Sequence, residues 1–177
     1  MFLTRTLVIC LGIFSTISSR RRIVNMTTNT SGTKPIATGI DICVRSDSLI
    51  LENVSRLLGV TPTSGFEKGE TYVGRQKRGS EIVTVDRVRS FGVWHFCTAE
   101  SLDSRNVEEH AKFLIETFTS ARDTIQQLIA DPNYYVKITI WALGYTFDLT
   151  SASLAGLSSL AQDLTITCWE DEEDDSE

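Results

Sequence analysis

The 177-residue chain has four cysteines and no C-x-x-C pair, which argues against a zinc ribbon and a disulfide-dense scaffold. Long apolar runs are missing too. The N-terminal stretch Leu7–Phe14 (LVICLGIF) holds eight apolar or glycine residues, too few to cross a bilayer core of about 30 Å as a helix. No G-x-S-x-G, G-x-x-x-x-G-K-[ST] or G-x-G-x-x-G occurs, so the marks of a hydrolase elbow, a P-loop and a dinucleotide site are absent. Basic residues are in deficit. Lys and Arg number 17 against 23 Asp and Glu, and a net charge of −6 counts against a general nucleic-acid binder. What is present is ordinary for one globular domain: 41% hydrophobic and 23% charged residues.

The charge is unevenly spread. Residues 1–25 carry four arginines and no acid, while 170–177 (EDEEDDSE) carry seven acids and no base. Residues 26–169 hold 13 bases and 16 acids, so the strong charges sit at the two ends. The first 25 residues read as a segment upstream of a true start at Met26, as a signal-like segment or as a peripheral anchor. In the second reading Arg5 opens it, Leu7–Phe14 is its apolar core and Ser18-Ser19 its cleavage site. Residues 26–38 form a polar leader, 39–169 a single domain and 170–177 an acidic tail. Cys43, Cys97 and Cys168 all fall in strand-like runs, and three cysteines cannot all pair. That favours a reducing, cytoplasmic setting, with export the alternative if residues 1–19 act as a signal peptide.

Periodicity gives a coarse element order. Residues 39–45 alternate Ile40, Ile42 and Val44 against Asp41, Cys43 and Arg45, as a half-buried strand does. Ser48 reads as the N-cap of a helix over 49–58 that Gly59 ends. Residues 61–80 hold Gly65, Gly69, Gly74 and Gly79 and read as a long loop, with a short strand at 71–73. Residues 81–88 and 91–98 read as two strands of one hairpin joined at Arg89-Ser90. Over 104–130, Val107, Ala111, Leu114, Phe118, Ala121, Ile125 and Leu128 step by four and three, predicting one long amphipathic helix capped by Asp103 or Ser104. A strand over 134–142, a helix over 151–161 and a strand over 164–169 complete the order. This β-α-β-β-α-β-α-β series predicts an α+β fold. A largely antiparallel sheet of about five strands has its helices on one face, in a ferredoxin-like βαββαβ arrangement with a C-terminal αβ unit.

Candidate chemistry is sparse. His95 and Cys97 share one face of a strand, too far apart for a ready base–nucleophile contact. His110 lies at the edge of the long helix's apolar stripe, and a hydrolase-type site around His95, His110 and Asp103 requires the three to meet. No H-x-H or H-x-x-x-H spacing supports a metal, and no cofactor or metal is expected. Glu108 and Glu109 are adjacent on a helix and so share no face, which makes them a solvated helix start and not an acid–base dyad. The loop over 65–79 gathers Tyr72, Arg75, Lys77 and Arg78, a candidate cradle for a small anion or phosphate. Trp94, Trp141 and Trp169 fall on strands as sheet residues, or as a partner surface where exposed together.

The segment FGVWHFCTAESLDSRNVEEHAKFLIETFTSARDTIQQL, followed by a strand and LTSASLAGLSSLAQDLTITCW, resembles the bacterial domain-of-unknown-function family 4279 over about residues 38–169. Lys68-Gly69-Glu70, Gly92-Val93-Trp94 and Glu109-His110 carry the likeness. The resemblance implies a small, mainly intracellular α+β domain and transfers no catalytic residue.

Three functions compete. The first is a non-enzymatic, immunity-like or regulatory protein-binding module whose acidic balance suits a basic protein partner. The second is an anion-binding domain using Tyr72, Arg75, Lys77 and Arg78. The third is the histidine-centred enzyme. Trp94, His95 and His110 join the loop residues as candidate contacts. Neither nucleic-acid binding nor stable membrane insertion is expected, and the sequence leaves the oligomeric state open.

Overall fold

A computed structural model describes residues 38–79, 81–144 and 146–169, with the side chain of Trp169 left aside. The upstream segment, the leader up to residue 37 and the acidic tail lie outside the described residues. Strand β1 (Gly39–Ser46) follows the predicted alternation: Ile40, Ile42 and Val44 are fully buried. Helix α1 (Leu51–Leu58) starts two residues later than its apolar spacing suggests. Ser48 does not cap it. Its backbone N–H donates to Ser46 Oγ at 3.2 Å, and the open Leu51 N–H is met from a distance by Glu67 Oε1 at 2.9 Å. Gly59 ends the helix with φ +67°, a left-handed conformation that glycine adopts without strain.

The segment read as a loop is mostly strand. It contains β2 (Ser64–Phe66) and β3 (Thr71–Arg78). Strand β4 (Glu81–Val88) pairs with β3 in an isolated two-stranded sheet, not with β5 (Gly92–Cys97) as the sequence spacing suggests. The two-residue connection at 79–80 explains the choice. Gly79 has φ +62°, the conformation a tight hairpin turn requires, whereas Arg89-Ser90 offers no glycine.

After a 3-10 turn at Thr98–Glu100 come helices α2 (Val107–Thr117) and α3 (Arg122–Ala130), where one helix was predicted. The break falls at Thr117-Phe118-Thr119-Ser120. Thr117 and Thr119 donate their hydroxyls to the carbonyls of Phe113 and Ile115 at 2.7 and 2.8 Å, a back-bonding that loosens the helical ladder. All seven stripe residues, Val107 to Leu128, are nonetheless buried, so the kink leaves the apolar face aimed at the sheet. Asn106, not Asp103 or Ser104, caps α2 by accepting from Glu108 N at 2.9 Å. Strand β6 (Tyr134–Leu143), helix α4 (Ser151–Ser158, capped by Thr150) and strand β7 (Asp163–Trp169) end the described chain.

The main sheet has the order β2-β5-β1-β6-β7, antiparallel except for the β6/β7 pair. With the β3–β4 hairpin set aside as an insertion, the first four strands follow the ferredoxin-like plan, and α4–β7 adds a parallel unit at the edge. The predicted α+β class is therefore the observed one, although β2 and not the 81–88 strand pairs with β5 at that edge of the sheet. One face of the sheet (Ile40, Ile42, Val44, Trp94, Phe96, Val136, Ile138, Ile140) packs into the core with the helices. Phe118 stands edge-on to Trp94 and Phe96, at ring separations of 6.2 and 5.5 Å. No helix of the described residues is long and apolar enough to cross a membrane.

Candidate functional site

Period-two alternation sends the other half of each strand to the opposite face of the sheet: Asp41, Cys43 and Arg45 from β1, and Val93, His95 and Cys97 from β5. Ser64 and Phe66 from β2 share this face through their pairing with His95 and Val93. Polar groups meet here across four strands. His95 Nε2 lies 3.2 Å from Asp41 Oδ2, and His95 Nδ1 lies 3.0 Å from Ser64 Oγ. Trp141 Nε1 donates to the same Asp41 oxygen at 2.5 Å. The second oxygen, Asp41 Oδ1, is buried with no hydrogen-bond partner among the described residues. The sequence marked His95 as a candidate but missed Ser64 and Asp41. The face assignment of Asp41 was readable, but the approach of β2 was not.

Cys43 and Cys97 border this cluster. Burial first, and the Asp41 carboxylate second, push the Cys43 thiol up to about 11 and the Cys97 thiol up to about 12. Both are protonated at neutral pH, which counts against either acting as a nucleophile.

His110 is elsewhere. It is fully buried on the helix side, with Nε2 donating to the Ser104 carbonyl at 3.0 Å and Nδ1 meeting Thr98 Oγ1 at 2.8 Å. Thr98 Oγ1 in turn accepts the Ile40 N–H at 2.8 Å, so every polar atom of the imidazole has a partner. His95 and His110 therefore occupy opposite faces of the sheet, and Asp103 sits exposed ahead of α2. The expected meeting of these three does not occur, because the helix that carries His110 covers the core face.

The basic cluster does not converge either. The strand register puts Tyr72 and Arg78 on one face of the hairpin and Arg75 and Lys77 on the other. Tyr72 is engaged: the Arg89 guanidinium lies between its ring and that of Phe66, 3.8 Å from each centroid. Phe66 continues to Phe91 at 6.3 Å, and Arg45 covers Phe91 at 3.5 Å. This stack clamps the hairpin base to the main sheet. Beyond it the hairpin is open. Val73, Ile82 and Val88 are 68, 69 and 62% exposed, on the same face as Arg75 and Lys77. Trp94, by contrast, is fully buried, its Nε1–H donating to Ser55 Oγ at 3.0 Å, and forms no part of a surface.

Glu108 departs from the solvated role its position suggests. Its carboxylate accepts from Thr150 N at 3.0 Å, Thr150 Oγ1 at 3.1 Å and Ser153 Oγ at 2.8 Å, with Lys112 Nζ at 3.4 Å. The Thr150 backbone N–H foremost, then the Ser153 and Thr150 hydroxyls and Lys112, hold its carboxyl down at about 2. The anion ties the start of α4 to α2. Among the described residues no group of three or more His, Cys, Asp or Glu is placed to hold a metal ion.

A family model described as "Domain of unknown function (DUF4279)" matches residues 38–170. No curated protein and no solved structure matches the chain.

Proposed function

Since the chain belongs to the DUF4279 family, whose description names no activity, we propose from its own geometry that it is a protein-binding module that docks partners through the β3–β4 hairpin. One observation carries this reading: three large aliphatic side chains stand exposed together on one face of a two-stranded sheet. A hairpin alone in water is marginal, and its outer edges offer unpaired N–H and C=O groups to an added strand. Charge narrows the partner. Residues 71–89 carry five bases and two acids, whereas the described residues outside them carry seven bases and fourteen acids. An extended partner segment that alternates apolar and acidic residues fits this arm, its apolar residues meeting Val73, Ile82 and Val88 on one face and its acids meeting Arg78 and Arg87 on the other. Extended peptides of that pattern are expected to bind the full chain by fluorescence anisotropy, more tightly at low salt, and a Val73→Asp/Ile82→Asp double variant is expected to lose them while its melting temperature holds. Equal binding by the double variant would remove the hairpin from the reading.

A second reading rests on the same charge count. The acid excess outside the hairpin favours a basic protein partner steered to the body of the domain. Such a partner keeps its affinity in the Val73→Asp/Ile82→Asp variant and loses it as salt rises, so one titration separates the two.

A further inference from the structure

We propose that Ser64, His95 and Asp41 form a nucleophilic relay that acylates and deacylates on small activated esters at the open face of the sheet, a capacity separate from hairpin docking. The hydrogen-bond directions are fixed by chemistry. A carboxylate only accepts, so the contact of Asp41 Oδ2 with His95 Nε2 places the ring proton on Nε2. Nδ1 is left with its lone pair, and Ser64 Oγ lies 3.0 Å from it. Thr63 Oγ1 is also near, at 3.5 Å, but its hydroxyl donates to the His95 carbonyl at 3.2 Å while accepting the Cys97 N–H at 3.1 Å. Ser64 therefore supplies the proton that Nδ1 accepts, and Thr63 holds the imidazole strand in place.

The order hydroxyl, imidazole, carboxylate is that of an activated serine, with the two ring nitrogens exchanged relative to the usual arrangement. Trp141 Nε1–H on the same Asp41 oxygen fixes the carboxylate, so Asp41 and Trp141 are positioning residues. His95 keeps 27% of its side-chain surface and Ser64 is exposed, so a small acyl group reaches the oxygen. β2 is an edge strand, so Ser64 stands at the border of the sheet.

In the first step Ser64 Oγ bonds to the acyl carbon and its proton passes to His95 Nδ1. The ester C–O bond breaks, and His95 returns that proton to the leaving alkoxide or phenolate. Water then attacks the acyl-serine, His95 takes a water proton and delivers it to Ser64 Oγ, and the free acid departs. A fluorophosphonate takes the first step only, with a P–O bond formed and fluoride and a proton lost.

The test is peptide mapping of the full chain after fluorophosphonate treatment, with p-nitrophenyl acetate turnover measured in parallel. Ser64 is expected to label ahead of exposed Ser151, and His95→Ala to slow both labelling and turnover by about 100-fold or more, the usual worth of a positioned base. Asp41→Asn, which releases the tautomer, is expected to fall likewise, with Asp41→Glu recovering part of the rate at unchanged melting temperature. A Ser64→Cys variant keeps a nucleophile if Ser64→Ala disturbs folding, and its alkylation by iodoacetamide should depend on His95. Labelling of Ser64 no faster than Ser151, or labelling indifferent to His95→Ala in folded protein, overturns the relay. The Val73→Asp/Ile82→Asp variant should label normally, so failure of the docking reading leaves this result intact.

Discussion

At the scale of single residues, Glu108 couples the protein's stability to acid. Its carboxyl titrates at about 2 in the folded chain against an ordinary 4.5. A depressed folded value means the stabilisation is complete above the unfolded value and is lost as pH falls from 4.5 through 2. Glu108→Gln is therefore expected to lower the melting temperature at pH 7 and to flatten its fall over that acid range. Thermal melts from neutral to strongly acidic pH check this, and a variant whose acid limb matches wild type would show the carboxylate to be idle. Thiols give a second expectation. Burial holds Cys43 and Cys97 protonated up to about 11 and 12, whereas Cys168 is exposed. Iodoacetamide at slightly alkaline pH is expected to modify Cys168 before either of the others, read by peptide mass. Residue identity alone reported part of this. The inward and outward faces of β1 were legible from alternation, so Asp41 and Cys43 were placed correctly. The bond from Ser64 to His95 joins residues 31 positions apart, and no local pattern announces a contact made by a three-residue edge strand.

At the scale of elements, the seven-residue stripe from Val107 to Leu128 was legible because burial dictates spacing. The interruption within it was not, because the stripe runs on unbroken through the kink. Phe118 sits at that kink, fully buried and edge-on to Trp94 and Phe96. Truncating a buried phenylalanine leaves a cavity as well as lost transfer energy, so Phe118→Ala is expected to cost about 3–5 kcal/mol. The urea midpoint reads that cost, and a loss near zero would mean that the core collapses onto the gap. Thr150 tests a smaller term. As the N-cap of α4 it accepts Ser153 N at 3.1 Å, and Thr150→Ala is expected to lower stability by about 1 kcal/mol. The glycine-rich stretch 61–80 misled for a physical reason. Glycines at 65 and 74 serve close packing, Gly65 against Leu51 and the Val93 carbonyl and Gly74 beneath Arg87, and not loop flexibility.

At the scale of the whole molecule, the hairpin stands as an insertion into a ferredoxin-like plan, and its removal is the sharpest trial of that description. Its base is closed on the domain side. Gly69 N donates to Arg89 O at 2.9 Å and Arg89 N to Glu70 O at 2.8 Å, so the ends at 70 and 89 already lie together. The core residues come from β1, β5, β6, the helices and their flanks, and none comes from 71–88. Replacing residues 71–88 by two glycines therefore removes the Tyr72–Arg89 stack and little else of the fold. Stacking of that kind is worth about 0.5–1 kcal/mol at an exposed site, which in a chain of this size moves the melting temperature by only about 1–4 °C. The shortened chain is expected to melt cooperatively within that margin and to keep His95, Asp41 and Ser64 in register, while losing any partner held by Val73, Ile82 and Val88. Calorimetry checks the first part and anisotropy with the alternating acidic peptides the second. Loss of cooperative melting would mean that the arm is structural, because a domain that merely carries a docking strand does not need that strand to fold.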